Sequence, residues 1–314
     1  MRNPDHLYQI GAILLVGISL VLSACGGGMA TPTPPPTLSP TPPPTPPPTP
    51  SPGPVSTYHA RDFGVTWSST YYFPNPPNQP QQAVDVGATW DRWDFHWQWI
   101  MRSFPPAWAG SWPTSYNYDQ AIQDAQRTTP PLNILAILNG PLLDHPTYGP
   151  GGSWEQFVRA AHERYGNRIS AWELGNETAF VHGEGGPPPL TPEEYIQALR
   201  TTCEVLGQDS IIILGSPVAQ VGLSLANYGH GYTEKQNQAT QGWITYRRLI
   251  EEIKARSSLQ RCVDAIGLHV YLRVPWSYWV ITGLKKFAES AESGYGTWPN
   301  PRFWITESGV AAIR

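Results

Sequence analysis

Seven short apolar runs, each separated from the next by turns or by a stretch that reads as a helix, set what this chain can fold into. They fall at residues 61–68, 86–93, 132–138, 169–174, 211–214, 263–270 and 302–306. The run at 132–138 is continuously apolar, which suits a strand covered on both faces. Helix signals lie between the runs. Residues 117–127 carry a polar face. Ser153 and Gln156 have capping-box spacing, Trp154, Phe157, Ala160 and Ala161 follow at helical intervals, and Gly166 is a stop. Thr191-Pro192-Glu193-Glu194 combines an N-cap, a proline at the first helical position and a glutamate at the third, and this helix is expected to end at Gly207. Helices are also expected at 243–255 and 284–292, with a long loop at 215–241. Such alternation implies an α/β fold with a parallel sheet. No Gly-rich phosphate turn follows the first strand, so nucleotide binding there is unsupported.

The alternation occupies residues 56–314, a length that suits one α/β barrel. The expected fold is a (β/α)8 TIM barrel truncated after strand seven, the eighth βα unit being missing before Arg314. Residues 1–24 read as an export signal: Arg2 lies in a polar start, and 10–22 is mostly apolar but short for a membrane span. Leu22-Ser23-Ala24-Cys25 resembles the bacterial lipobox. That likeness implies cleavage before Cys25, diacylglycerol on its sulfur, and a lipid-anchored protein of the cell envelope facing away from the cytoplasm. Residues 25–55, rich in Gly, Pro and Thr, cannot bury a core and read as a tether. Charged residues make up 14% and the net charge is −4, with no basic stripe, so nucleic acid is not an expected partner. Cys203 and Cys262 form either a disulfide or two buried thiols. No Cys/His cluster has metal-ligand spacing, and neither a metal nor a cofactor is expected. The oligomeric state is not legible.

Two glutamates stand at strand ends. Glu177 closes Ala171-Trp172-Glu173-Leu174-Gly175-Asn176-Glu177, and Glu307 lies in Phe303-Trp304-Ile305-Thr306-Glu307-Ser308. Paired carboxylates at the carboxyl ends of barrel strands are what glycoside hydrolysis needs. Asn176-Glu177 after strand four and Glu307 after strand seven resemble clan A of the retaining glycoside hydrolases, which includes families 5, 39, 51 and 79. The resemblance implies that Glu177 is the acid/base and Glu307 the nucleophile. It also implies that Asn176 binds the sugar 2-hydroxyl. Leu268-His269-Val270-Tyr271 resembles the clan's His-x-Tyr, with Tyr271 holding the nucleophile and His269 lining the sugar site. Arg92 resembles the strand-two arginine that hydrogen-bonds the nucleophile. Its alternative is an ion pair with Asp91 or Asp94. Many members have proline where this chain has Thr178, and Leu-Gly-Asn-Glu looks nearer families 51 and 79.

Asn139 ends strand three and is a further substrate-binding candidate. Trp90, Trp93, Trp97, Trp99, Trp108 and Trp112 crowd the second βα segment, where some are core and others, Trp97 among them, are candidate sugar platforms. His182, Glu184, Tyr228, His230 and Tyr232 are candidate subsite residues in loops. The expected function is retaining hydrolysis of a β-linked oligo- or polysaccharide. The alternative is a non-catalytic carbohydrate-binding surface lipoprotein.

Overall fold

A computed structural model describes residues 64–66, 79–111, 116–140, 145–177, 190–217, 226–227, 229–231, 241–270, 274–291 and 294–308. Within these, the side chains of 66, 241–243, 270, 274–277, 307 and 308 lie outside the description. The chain divides into two compact units, Met1–Thr49 and Pro50–Arg314, and every described residue belongs to the second.

Seven parallel strands form one sheet in the order β1 (Gly64–Thr66), β2 (Trp90–His96), β5 (Asn133–Asn139), β6 (Ala171–Leu174), β7 (Ile212–Leu214), β8 (Ala265–Val270), β9 (Phe303–Ser308). Each strand lies beside its predecessor in the chain. A doubly wound sheet reverses direction at a switch point, whereas this order winds one way, as in a (β/α) barrel. The sheet curls. Trp90 on β2 packs edge-on to Trp304 on β9, with ring centroids 5.3 Å apart, although four strands stand between them. Inside the curl, Trp90, Leu135, Ala171, Ile213 and Ala265 form an apolar floor against which Ile211 and Trp304 pack.

The outer faces of the strands meet the helices. These are α1 (Gln79–Asp85), α2 (Trp97–Ile100), α3 (Tyr118–Arg127), α4 (Ser153–Tyr165), α5 (Pro192–Leu206), α6 (Gln241–Ala255), α7 (Ser257–Cys262) and α8 (Val274–Glu289). Trp93 and Phe95, pointing outward from β2, pack on Tyr118 with centroids 5.9 and 4.8 Å away. A two-stranded antiparallel ladder, β3 (Ala109–Gly110) with β4 (Tyr116–Asn117), sits beside α3. Among the described residues no helix is long and apolar enough to cross a membrane.

Several boundaries differ from the sequence expectation. Strand two is shifted: α1 fills 79–85, Gly87 turns the chain at φ 96°, and the strand runs 90–96. The capping box at Ser153 and Gln156 does not form. Gly152 is the N-cap, the Ser153 hydroxyl accepts from the Thr147 N–H, and Gln156 Nε2 donates to the Gly151 carbonyl. The box at Thr191 and Glu194 does form, with Pro192 opening the helix and Gly207 ending it at φ 70°. The last helix starts ten residues early, at Val274. Cys203 on α5 is bonded to Cys262 on α7, with Cα atoms 5.9 Å apart.

Candidate active site

The carboxyl ends of β2, β5, β6 and β8 carry polar side chains on the inner face, above the apolar floor. β2 contributes Arg92, Asp94 and His96, at alternate positions and all buried. β6 contributes Glu173, which has no exposed surface, and β8 contributes His269. Strand periodicity puts every second residue on one face, so one 7-residue strand delivers three polar groups in a column.

A chain of hydrogen bonds links them. Arg92 Nε donates to Glu173 Oε2 at 2.6 Å, and Arg92 Nη2 donates to Asn176 Oδ1 at 3.0 Å. The same Nη2 faces His269 Nε2 at 3.3 Å, and His269 Nδ1 lies 2.8 Å from Glu177 Oε1. A guanidinium is always a donor, so it fixes the amide of Asn176 with its oxygen toward Arg92 and Nδ2 as the donor end. Glu177 itself is part open, its side chain 32% exposed. The turn that presents it is unusual: Gly175 has φ 75° and Glu177 has φ 50°. A left-handed backbone is rare for a residue with a Cβ, and such outliers gather at functional sites. Gly215 lies against this turn, and its N–H donates to the Leu174 carbonyl.

Glu307 lies within β9 rather than after it. Its backbone pairs with His269, because a bulge between Leu268 and His269 skips Thr306. His269 therefore contacts Glu177 through its ring and pairs with Glu307 through its backbone. Beneath them, a methyl group on Gly267 would lie 3.2 Å from both Glu173 Oε1 and Thr306 Oγ1, two buried atoms with no hydrogen-bond partner among the described residues.

The sequence candidates fall as follows. Arg92, Asn176, Glu177 and His269 come together. Arg92 is ion-paired with Glu173. Asn139 ends β5 and donates through Nδ2 to Asp94 Oδ1 at 2.8 Å. Trp90 is in the barrel floor, Trp93 and Trp99 are buried in the outer core, and Trp97 and Trp108 pack half-buried against it, so none of these five is exposed. His230 stacks on Trp279 of α8, centroids 3.7 Å apart. Cys25, Tyr271, Trp112, His182, Glu184, Tyr228 and Tyr232 lie outside the described residues. The sequence reading missed Glu173, Asp94 and His96 as site residues. The signal available was the alternation Arg92-x-Asp94-x-His96 and a glutamate four residues before Glu177. Burial holds the His96 imidazole below its ordinary value, opposed in part by the Asp94 carboxylate.

No family model and no curated protein matches this sequence. Solved structures similar in fold include a family 39 glycoside hydrolase from Bacteroides cellulosilyticus WH2, at 16% identity and TM-score 0.47, over 79% of this chain and 49% of that one. A family 51 α-L-arabinofuranosidase from Bifidobacterium longum is 14% identical, TM-score 0.49, over 80% of this chain and 54% of that one. A fungal β-1,4-galactanase is 16% identical, TM-score 0.45, over 78% of this chain and 73% of that one. The chain spans about half the length of the first two.

Proposed function

We propose that this chain is a glycoside hydrolase that cleaves a β-linked oligo- or polysaccharide with retention of configuration. The observation that carries the proposal is the placement of His269, which contacts Glu177 after β6 and pairs in register with Glu307 on β9. Two glutamates far apart in sequence thus both adjoin one residue at the carboxyl end of one sheet.

In this reading Glu177 protonates the leaving oxygen while Glu307 attacks the anomeric carbon. A glycosyl–enzyme ester forms, and Glu177 then takes a proton from the water that hydrolyses it. Asn176, its Nδ2 turned away from Arg92, donates to the sugar hydroxyl beside the reacting carbon. Arg92 supplies a fixed positive charge near carboxylates that must stay ionised. Neither step calls for a cofactor. The same reading takes residues 25–55 as a tether from a lipid on Cys25, placing the enzyme on the outer side of a bacterial membrane.

The test is hydrolysis of a panel of aryl β-glycosides by the full chain. Glu177→Gln and Glu307→Gln should each lower kcat about 10²–10⁴-fold, and unchanged turnover in either removes that residue from its role. The first product should keep the substrate's anomeric configuration by proton NMR, and inversion would rule out a double displacement. Binding of oligosaccharide without turnover would instead favour a carbohydrate-binding lipoprotein. Palmitate labelling that persists in Cys25→Ala would remove the anchor.

A further inference from the structure

We propose that Glu173 is a positioning residue that, through Arg92, sets the tautomer of His269 and so decides which oxygen of Glu177 carries the transferable proton. The kinetic part rests on the hydrolase reading, while the tautomer part does not. Nη2 of Arg92 can only donate, and it lies 3.3 Å from His269 Nε2. That nitrogen must therefore offer a lone pair. The neutral ring then holds its proton on Nδ1, which stands 2.8 Å from Glu177 Oε1. Oε1 is thereby an acceptor, and a proton on Glu177 belongs on Oε2.

The other edge of the Arg92 fork is also held. That hold is Glu173 Oε2, 2.6 Å from Arg92 Nε, on side chains 0% and 5% exposed. The described hydrogen bond of the Glu173 carboxylate goes to Arg92, so its influence on the site runs through the guanidinium. With a neutral group at 173, the buried cation loses this counter-charge and is drawn toward another carboxylate. Nη2 then leaves His269, and the ring becomes free to carry its proton on Nε2.

The experiment uses the full chain labelled with 15N at histidine, the His269 ring being the signal that vanishes in His269→Gln. The native ring should show a protonated Nδ1 and a lone-pair Nε2. In Glu173→Gln it should move to the Nε2-protonated form or to exchange between the two. Any other native state, or a Glu173→Gln ring that keeps Nδ1–H, overturns the proposal. If Glu173→Gln does not fold, Arg92→Lys is read by the same criteria, since lysine keeps the charge and lacks the planar fork. Kinetics add a second readout. Glu173→Gln should lower kcat/KM about 10–100-fold for aryl glycosides with poor leaving groups, which need the proton. It should lower those with good leaving groups by less, since only the leaving-group effect depends on the proton, and an equal loss on both overturns the proposal. A chain inactive on every glycoside, but with a His269 ring that responds to Glu173→Gln, would remove the hydrolase reading and leave the tautomer control standing.

Discussion

Glu177 holds its left-handed backbone in a turn pinned from two sides, by the Leu174 carbonyl bonded to Gly215 and by its own carboxylate on His269. Below it the fit is tight. A Cβ on Gly267 would stand 2.9 Å from the Leu214 carbonyl oxygen and 3.2 Å from Glu173 Oε1. Gly267→Ala should therefore cost about 1–3 kcal/mol in urea unfolding, and an unchanged midpoint would contradict the packing. His96 gives a pH effect of definite sign. Its folded value is depressed by burial, with Asp94 opposing. The unfolded chain then binds a proton that the folded one refuses. Stability is full above the ordinary histidine value of about 6.5 and falls as pH drops below it, by up to about 1.4 kcal/mol per unit. His96→Gln should flatten the loss of thermal midpoint between about pH 7 and pH 5. At this scale the sequence was legible where a motif stood at a strand end, as with Asn176 and Glu177. It was illegible at Glu173 and Asp94, because a charged residue inside a strand betrays its partner only once the sheet has curled.

The elements carry their own tests. Thr191 accepts from the Glu194 N–H and Glu194 Oε2 accepts from the Thr191 N–H, so two orphan donors at the start of α5 are satisfied. Thr191→Ala should cost about 1 kcal/mol. The Cys203–Cys262 bond closes a sequence separation of 59 and ties α5 to α7. By the chain-entropy account its loss costs about 4 kcal/mol. Cys203→Ser should lower the thermal midpoint, and an unchanged midpoint would mean the thiols are unpaired. Thr191-Pro192-Glu193-Glu194 was readable because every needed group is local. Ser153 and Gln156 had the same spacing, yet the loop before α4 folds back and takes both side chains, Ser153 through the Thr147 N–H and Gln156 through the Gly151 carbonyl. β2 was misplaced because Val86, apolar but 72% exposed, extended the pattern backward, while Asp94 and His96 hid its end.

For the whole molecule, strand order followed from alternation alone, since seven strands each lie beside the next in sequence. The curl did not, because nothing local says that β2 and β9 approach. Trp90 and Trp304 record that approach, and Trp90 is 8% exposed in the floor. Trp90→Ala should cost about 3–5 kcal/mol in denaturant unfolding, and a smaller loss would mean the floor contributes little to holding the curl. The extra residue in β9 has a further consequence. Deleting Thr306 would straighten the ladder and still leave a glutamate across from His269, whereas an inserted residue would push that glutamate one step beyond. Relatives of this chain should therefore differ here by a gap and not by a gain, an asymmetry that sequencing across its lineage would reveal.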